Sequence, residues 1–215
     1  MSKVKAQISV SLDGYMAGPN QTEKEPLGVN GEDLHQWVFK LASWRGAHGH
    51  EGGETKENVS DGVLAAAQKN IGAVVMGRNM FGPVRGAWPD EDWKGWWGDD
   101  PPFHCPVYVL THHAREPFEL ENGNSFHFVT EGIEKAIAEA KEAADDQDVS
   151  VGGGAETLQE AIAAGLLDEI LVSQVPILLG GGERLFDNLA AGAAKVELAD
   201  VVQGPDALHM TYRFG

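Results

Sequence analysis

Three stretches carry the residue types needed to hold an anionic ligand. The first is VGGGAETLQEAIAAG, residues 151–165, in which three glycines separate a β-branched residue from a helical pattern. A helix start offers unpaired N–H groups and a partial positive charge, so a phosphate there gains hydrogen bonds and dipole stabilisation if no Cβ blocks its approach. Val151, Gly152, Gly153 and Gly154 supply such bare backbone. The pattern is neither G-x-G-x-x-G nor G-x-x-x-x-G-K-[ST], and glycine clusters also simply close tight turns. The second stretch, AVVMGRNMFG, brings Arg78 and Asn79 to the carboxyl end of an apolar run that stops at Gly77. The third, PVYVLTHHAREP, ends another apolar run in Thr111, His112, His113 and Arg115. Ligands of open α/β sheets collect at the carboxyl ends of strands. Any one of these side chains alone reads more readily as a solvated charge or a salt bridge; three strand ends of matching chemistry point to one site.

The elements that must position them alternate. Apolar runs of strand length (IGAVVMG, PVYVLT, SFHFVT, DVSVGGG, DEILVSQVPIL) are interleaved with helical patterns (NVSDGVLAAAQKN, EGIEKAIAEAKEAA, AETLQEAIAAG), which predicts an α/β sheet covered on both faces. QISVSLDGYMAG begins as a strand and breaks at Asp13-Gly14, and PNQTEKEPLGVN is a run of turn formers. EDLHQWVFKLASW, 32–44, has helical spacing with Leu34, Trp37, Val38 and Leu41 on one face, and Gly165 reads as the cap ending the helix after the triple glycine. LGGGERLFDNL reads as a turn with a short helical piece, and AKVELADVVQGPDALHMTYRFG as an antiparallel hairpin turning at Gly204-Pro205. The segments 45–58 and 82–105 read as loops, the second with Trp88, Trp93, Trp96 and Trp97.

Composition narrows the functional classes. The chain has 215 residues, 42% hydrophobic, enough for one α/β domain spanning 1–215. Its formal charge of -17 sets net repulsion against nucleic acid. Cys105 stands alone, no leader pattern opens the sequence and no stretch reaches the length of a membrane span, so the expectation is a soluble protein of a reducing, cytoplasmic setting.

Taken in order, SVSLDGYMAG, VVMGRNMFG, VYVLTHHAREP, VGGGAETL and VPILLGGGERLF resemble the reductase domain of the bifunctional riboflavin-biosynthesis deaminase-reductase and its stand-alone relatives, which share the dihydrofolate reductase fold. The resemblance runs from about residue 4 to the end. It implies that fold as three layers: a mixed, mostly parallel sheet, helices on both faces and the C-terminal antiparallel hairpin. It also implies an NADPH site, with Asn79 among its cofactor-binding residues, in which the Met76-Gly77-Arg78 segment and Thr111, His112 and His113 hold the adenosine 2′-phosphate. The glycine turn with Thr157 would then hold the pyrophosphate, and the strand from Ser11 to Ala17 would border the nicotinamide. Two departures stand out. Met80 occupies the place where dihydrofolate reductases commonly have Thr, and Val151 the place where riboflavin-pathway reductases tend to have an acidic residue. No H-x-E with P-C-x-x-C occurs, so the zinc deaminase half has no counterpart here.

The expected reaction is hydride transfer from NADPH to a C=N or C=O carbon of a small heterocycle, a pteridine or a pyrimidine. The alternative is a nucleotide-binding module of the same fold without turnover. Asp13, at the end of the first strand, is the candidate proton donor, although Asp-Gly is also a favoured turn pair. Asp33 and Glu32 are its rivals as the acidic group contacting substrate. Trp37 and Trp88 are candidates to stack on a flat ring, Trp37 also fitting a core position; the tryptophan loop reads as a lid, or as a segment pinned by aromatic anchors. His48, His50 and Glu51, and the pair His112-His113, have metal-ligand chemistry, but adjacent strand residues point to opposite faces and the first group lies in a loop, so no metal is expected. Gly180 to Gly182 precede Glu183, which would repel phosphate, and read as a tight turn at a subunit contact. The open hairpin edge and the apolar VPILLGGG segment predict a homodimer.

Overall fold

Alternation decides the first strand. In VKAQISVS, Val4, Ala6, Ile8 and Val10 are buried on one side while Lys5, Gln7 and Ser9 are half-buried on the other, giving β1 (Val4–Ser11) two faces of opposite polarity. The computed structural model describes residues 2–55, 57–82, 86–88, 90 and 92–215. After Ser11 the chain turns through Gly14 into β2 (Tyr15–Ala17). Then come β3 (Ile71–Gly77), β4 (Pro106–Leu110), β5 (Phe118–Glu119) and β6 (Ser125–Val129). The remaining strands are β7 (Asp148–Gly153), β8 (Glu169–Val175), β9 (Glu183–Arg184), β10 (Val196–Gln203) and β11 (Leu208–Phe214).

Nine of these form one sheet in the order β10-β11-β8-β1-β7-β3-β4-β6-β5. The six central strands run parallel; β11, β10 and β5 are antiparallel additions at the two edges, so the sheet is mixed and mostly parallel, with the C-terminal hairpin at one side. β2 and β9 pair separately. There Gly182, at φ +122, approaches so closely that an added Cβ would lie 2.0 Å from the Ala17 carbonyl oxygen. The second glycine cluster thus serves an approach within the chain.

One face of the sheet is closed by α5 (Ile133–Ala144) and α6 (Ala155–Ala163), with Ile133, Ile137, Leu158 and Ile162 packed on Val4, Ala6, Val75, Val149 and Val151. The other face is covered in two separate places. α1 (Gln36–Phe39), α2 (Ala42–Ala47) and α3 (Val59–Gln68) sit over the β8 and β11 side, with Trp37, Leu41 and Leu64 against Val175 and Ala207. The single turn α4 (Arg78–Phe81) lies toward β4 and β6, with Phe81 against Val107, Val109 and Phe126. Between the two patches, the polar side of β1 is left as the floor of a cavity.

A buried polar chain fixes the first patch. His209, 1% exposed, shares a hydrogen bond through Nδ1 with Ser173 Oγ at 2.9 Å and through Nε2 with Ser60 Oγ at 2.8 Å, tying β11 and β8 to α3. Satisfying both ring nitrogens removes the cost of burying them. Trp37 packs 5.0 Å from this imidazole and donates its Nε1–H to Ser9 Oγ at 3.1 Å.

The sequence expectation differs from the structure at three places. The helix expected over 32–44 is a 3-10 turn at Gly31–His35, then α1, then α2, broken where Leu41 is extended and bridges Glu54. Long-range backbone pairing (Ala42 N to Glu54 O, 2.9 Å) outweighs local helical spacing there. The helical piece expected after Gly182 is the two-residue β9 followed by a turn. Gly165, at φ +66, follows the cap residue of α6, which is Ala164.

Candidate functional site

A cleft of about 540 Å³ opens at the carboxyl ends of the parallel strands. Three strand ends meet there. β3 delivers Gly77, Arg78 and Asn79; β4 delivers Thr111, His112 and His113; β7 delivers Gly152, Gly153 and Gly154, followed by Thr157 on α6. Ala17 of β2 closes one side. A Cβ on Gly77 would stand 2.5 Å from Thr157 Oγ1, so the missing side chain is what lets β3 lie against the start of α6.

The start of α6 has the properties of an anion cradle. Its first intrahelical bond runs from Leu158 N to the Gly154 carbonyl at 3.2 Å, which leaves the N–H groups of the first turn without helical partners. A Cβ built on Gly154 meets nothing within 4 Å, so the backbone there faces open space. A cis peptide bond joins Gly153 to Gly154.

The cationic side is built from interlocking loops. The Arg78 guanidinium lies 3.6 Å from the Trp88 ring centroid and donates to the Gly86 carbonyl. Trp88 Nε1 donates to the His113 carbonyl at 2.8 Å, and the His113 N–H donates to Thr111 Oγ1 at 3.2 Å. The Asn79 amide donates to Gln21 Oε1 at 3.0 Å. Three carboxylates, Glu156, Glu160 and Glu183, border the same cleft: burial first, and then the neighbouring Glu156, push the Glu160 carboxyl up, so it takes a proton more readily than an ordinary glutamate.

A second cavity, of about 1050 Å³, adjoins this cleft over the polar side of the sheet. The two share Gln7, Ser9, Leu27, His35, Met80 and Gly152 as common walls. His35 is the one titratable residue lining both, among the described residues. Sequence reasoning missed it: on a continuous 32–44 helix it lies off the apolar face, and only the 3-10 turn swings it inward.

Several expected site residues have other work. Asp13 lines neither cavity. Its carboxylate accepts from Ser11 Oγ at 2.6 Å, from Gly180 N at 2.8 Å and from Leu179 N at 3.2 Å, and the Ser11 hydroxyl foremost holds its pKa down to about 2. A carboxylate so held anchors Leu179 and Gly180, outside the cleft where a proton donor is expected. Asp33 and Glu32 are exposed and line neither cavity, because the 3-10 turn sends Leu34 and His35 inward instead. Val151 is fully buried in the core under α6 rather than in the cleft, as strand alternation requires. Trp88 lies beneath Arg78 and outside both cavities, so its stacking partner is a guanidinium. Trp37 is 4% exposed; it borders the second cavity from within the core.

In the tryptophan loop, Pro83, Val84, Arg85, Pro89 and Glu91 lie outside the described residues. Trp96 Nε1 donates to the Asn79 carbonyl at 3.5 Å, Trp93 packs edge-on to it, and Trp97 packs edge-on to Phe103 at 5.0 Å, the geometry of aromatic anchors. His48 stacks on Trp44 at 3.9 Å. No three His, Cys, Asp or Glu side chains converge as metal ligands among the described residues. Burial pushes the Cys105 thiol up to about 11, which keeps it protonated.

Residues 2–210 match the RibD C-terminal domain family. No protein of curated function matches the chain. Among solved structures, the chain is similar to a riboflavin biosynthesis protein from Shewanella sp. PV-4 (22% identity, TM-score 0.63, 99% of each chain covered). It is also similar to the dihydrofolate reductase of Enterococcus faecalis, solved with NADP(H) (16% identity, TM-score 0.50, 99% of this chain and 96% of that one). A third relative is the diaminohydroxyphosphoribosylaminopyrimidine deaminase/5-amino-6-(5-phosphoribosylamino)uracil reductase of Thermotoga maritima (12% identity, TM-score 0.56). All of this chain aligns with it, spanning 57% of that protein's length. The architecture is dihydrofolate reductase-like.

Proposed function

Because the chain belongs to the RibD C-terminal domain family, we propose that it is an NADPH-dependent reductase of a small pteridine- or pyrimidine-type heterocycle. The observation that carries this reading is the convergence of Gly154 and the α6 N-terminus with Arg78, Thr111 and His112 around one cleft. That donor set fits a dinucleotide with two phosphate sites: a pyrophosphate at the first turn of α6 beside Thr157, and a 2′-phosphate at Arg78, with Thr111, His112, His113 and Asn79 around it. Ala17 and Met16 line the side where the nicotinamide would lie. When bound, NADPH supplies a hydride to the carbon of a C=N or C=O bond. The protein's share is to hold the two rings face to face, exclude water and steer a proton to the nitrogen or oxygen.

Arg78 gives the test. A planar guanidinium fixed over Trp88 and tied to the Gly86 carbonyl is preorganised for a phosphate monoester of charge about -1.5 to -2. Losing one charge-assisted pair costs on the order of 1.5–3 kcal/mol, or roughly ten- to a hundredfold in affinity. Arg78→Ala is expected to weaken NADPH by that factor and to leave NADH nearly unchanged in fluorescence titrations. An equal loss for both cofactors would refute the assignment, and tight NADPH binding with no turnover over a wide substrate panel would leave a binding module.

The sheet running from β1 to β11 supports reading residues 1–215 as one domain. A homodimer is supported by β10, an exposed edge strand carrying Val196, Leu198 and Val201. Light scattering that returned 23.1 kDa at micromolar concentration would reject it. No helix among the described residues is long and apolar enough to cross a membrane.

A further inference from the structure

Both cavities are bordered by carboxylates, but among the described residues the second lacks the guanidinium that Arg78 gives the cofactor cleft. Its described lining includes Lys5, Glu169 and Asp200 and no arginine. Lys5 is ion-paired with Asp148. His209 has both ring nitrogens occupied by hydroxyls, and His48 stacks on Trp44 with Nδ1 on the Trp44 carbonyl. A phosphate entering this space would therefore meet two carboxylates and an ammonium already neutralised, within a chain of charge -17. Desolvating a dianion without a paired cation is strongly unfavourable.

Its shape and chemistry suit something else. The floor is the polar side of the sheet, with the Gln7 amide, the Ser150 hydroxyl and Thr211. Aromatic pairs stand on two sides: Phe39 with Trp44 at 4.9 Å, and Trp97 with Phe103 at 5.0 Å. Where the cavity meets the cofactor cleft stands His35, whose Nδ1 is buried and has no hydrogen-bond partner. An unsatisfied nitrogen in a cavity wall is costly unless a ligand completes it. Burial holds the imidazole below its ordinary pKa, the Gly31 carbonyl opposing this only in part, so the ring is neutral at pH 7 and brings no charge.

We propose that this second cavity holds the acceptor as a planar, uncharged heterocycle without a phosphate group, its ring edge hydrogen-bonded to His35 Nδ1 at the mouth shared with the cofactor cleft. The proposal rests on the reductase reading and narrows it. The acceptor then differs in class from the phosphoribosyl substrate in the name of the Thermotoga maritima relative.

The test uses the full-length protein saturated with NADP+, which blocks the phosphate sites of the first cleft. Calorimetric titrations compare matched pairs: uridine and riboflavin, each against its 5′-monophosphate, and neopterin against its 3′-monophosphate. The expected result is that at least one unphosphorylated member binds, tenfold or more tighter than its phosphate. His35→Phe, which keeps a ring against Phe39, is expected to weaken that member about tenfold, the worth of one hydrogen bond. His35→Asn, which restores an amide near the same place, should recover most of it, with NADP+ affinity unchanged in both variants. A phosphorylated member binding as tightly as its partner, or no member of any pair binding below about 1 mM, overturns the proposal. Equal binding of the unphosphorylated member to His35→Phe overturns the role of His35, as does a loss shared by NADP+. Failure of NADP+ to bind the parent protein would instead count against the reductase reading, and is seen before any pair is added.

Discussion

Replacing Gly154 separates the cofactor's needs from those of the fold. Gly154 precedes α6 in an extended conformation, φ -74 and ψ -163, and an added Cβ meets no atom within 4 Å. The neighbouring Gly153 is a poorer probe: at φ +119 any side chain is strained whatever the space around it, so Gly153→Val would mix folding with binding. For Gly154→Val the folded chain has room. Loss of backbone freedom in the unfolded chain stabilises a compatible substitution by about 0.4–1 kcal/mol, while a poorer helix-capping residue costs a similar few tenths to about 1 kcal/mol. The two nearly cancel, so the melting temperature should stay within a few degrees of the parent's. Binding has no such compensation. The isopropyl group would stand where a phosphate must approach the unpaired N–H groups of α6, and losing two hydrogen bonds to a charged group costs roughly 3–6 kcal/mol. That is about two to four orders of magnitude in affinity for NADPH and NADH alike, unlike Arg78→Ala. Tryptophan fluorescence titration measures the affinities, and far-UV circular dichroism and a thermal melt check the fold. A folded Gly154→Val protein with the parent's NADPH affinity would show that no pyrophosphate lies at this helix.

Two further outcomes concern protonation. Asp13→Asn should leave turnover within a few-fold of the parent, with an unshifted pH profile, while lowering the melting temperature at pH 7. Since the folded carboxyl titrates at about 2 against an ordinary 3.8, that stability is present above 3.8 and lost as the pH falls toward 2, so the two proteins should converge in acid; abolished turnover would restore Asp13 as the acid. His209, lowered from 6.5 by burial, must become charged on acid unfolding, so its contribution is complete above pH 6.5 and lost as the pH falls below it. Urea titrations between pH 7.5 and 5 should show that loss in the parent and not in His209→Gln, and parallel curves would contradict the reasoning.

Much of this is legible in the sequence because it is local. Apolar runs ending in Gly77, Leu110 and Gly153 carry their own strand signal, and the helix after Gly154 carries its own period, so the meeting of Arg78, Thr111, His112 and Thr157 follows from a parallel sheet. What fails is what depends on distant backbone. The pairing of Lys40 and Ala42 with Glu54 breaks a helix that spacing alone favours, and with it the orientation of Asp33, Trp37 and His35 changes. Asp13 carries an ambiguous signal: the same Asp-Gly pair suits a turn anchor and an acid, and the partners it holds, Leu179 and Gly180, lie far along the chain. Trp88 is similar, since nothing near it in sequence says that Arg78 covers its face. Lys5, Gln7 and Ser9 form the polar side of β1 in the folded sheet, and that this side stays uncovered depends on distant elements, α3 among them, which no local pattern carries.

The central place of β1 has a consequence for synthesis. Its neighbours are β7 and β8, through residues 149–151 and 169–175, so the first strand made is among the last to be paired. At about 5–20 residues per second, a nascent chain carries that strand unpartnered for roughly ten to thirty seconds. During that time Val4, Ala6, Ile8 and Val10 form an apolar stripe with nothing to cover it. Lys3 and Lys5 sit within or beside the same segment, where like charges on neighbouring nascent chains discourage edge-to-edge pairing until β8 emerges. Lys5, which ends as a minor member of a finished cavity, and Lys3, which ends paired with Glu169, thus guard the chain while it is still being made.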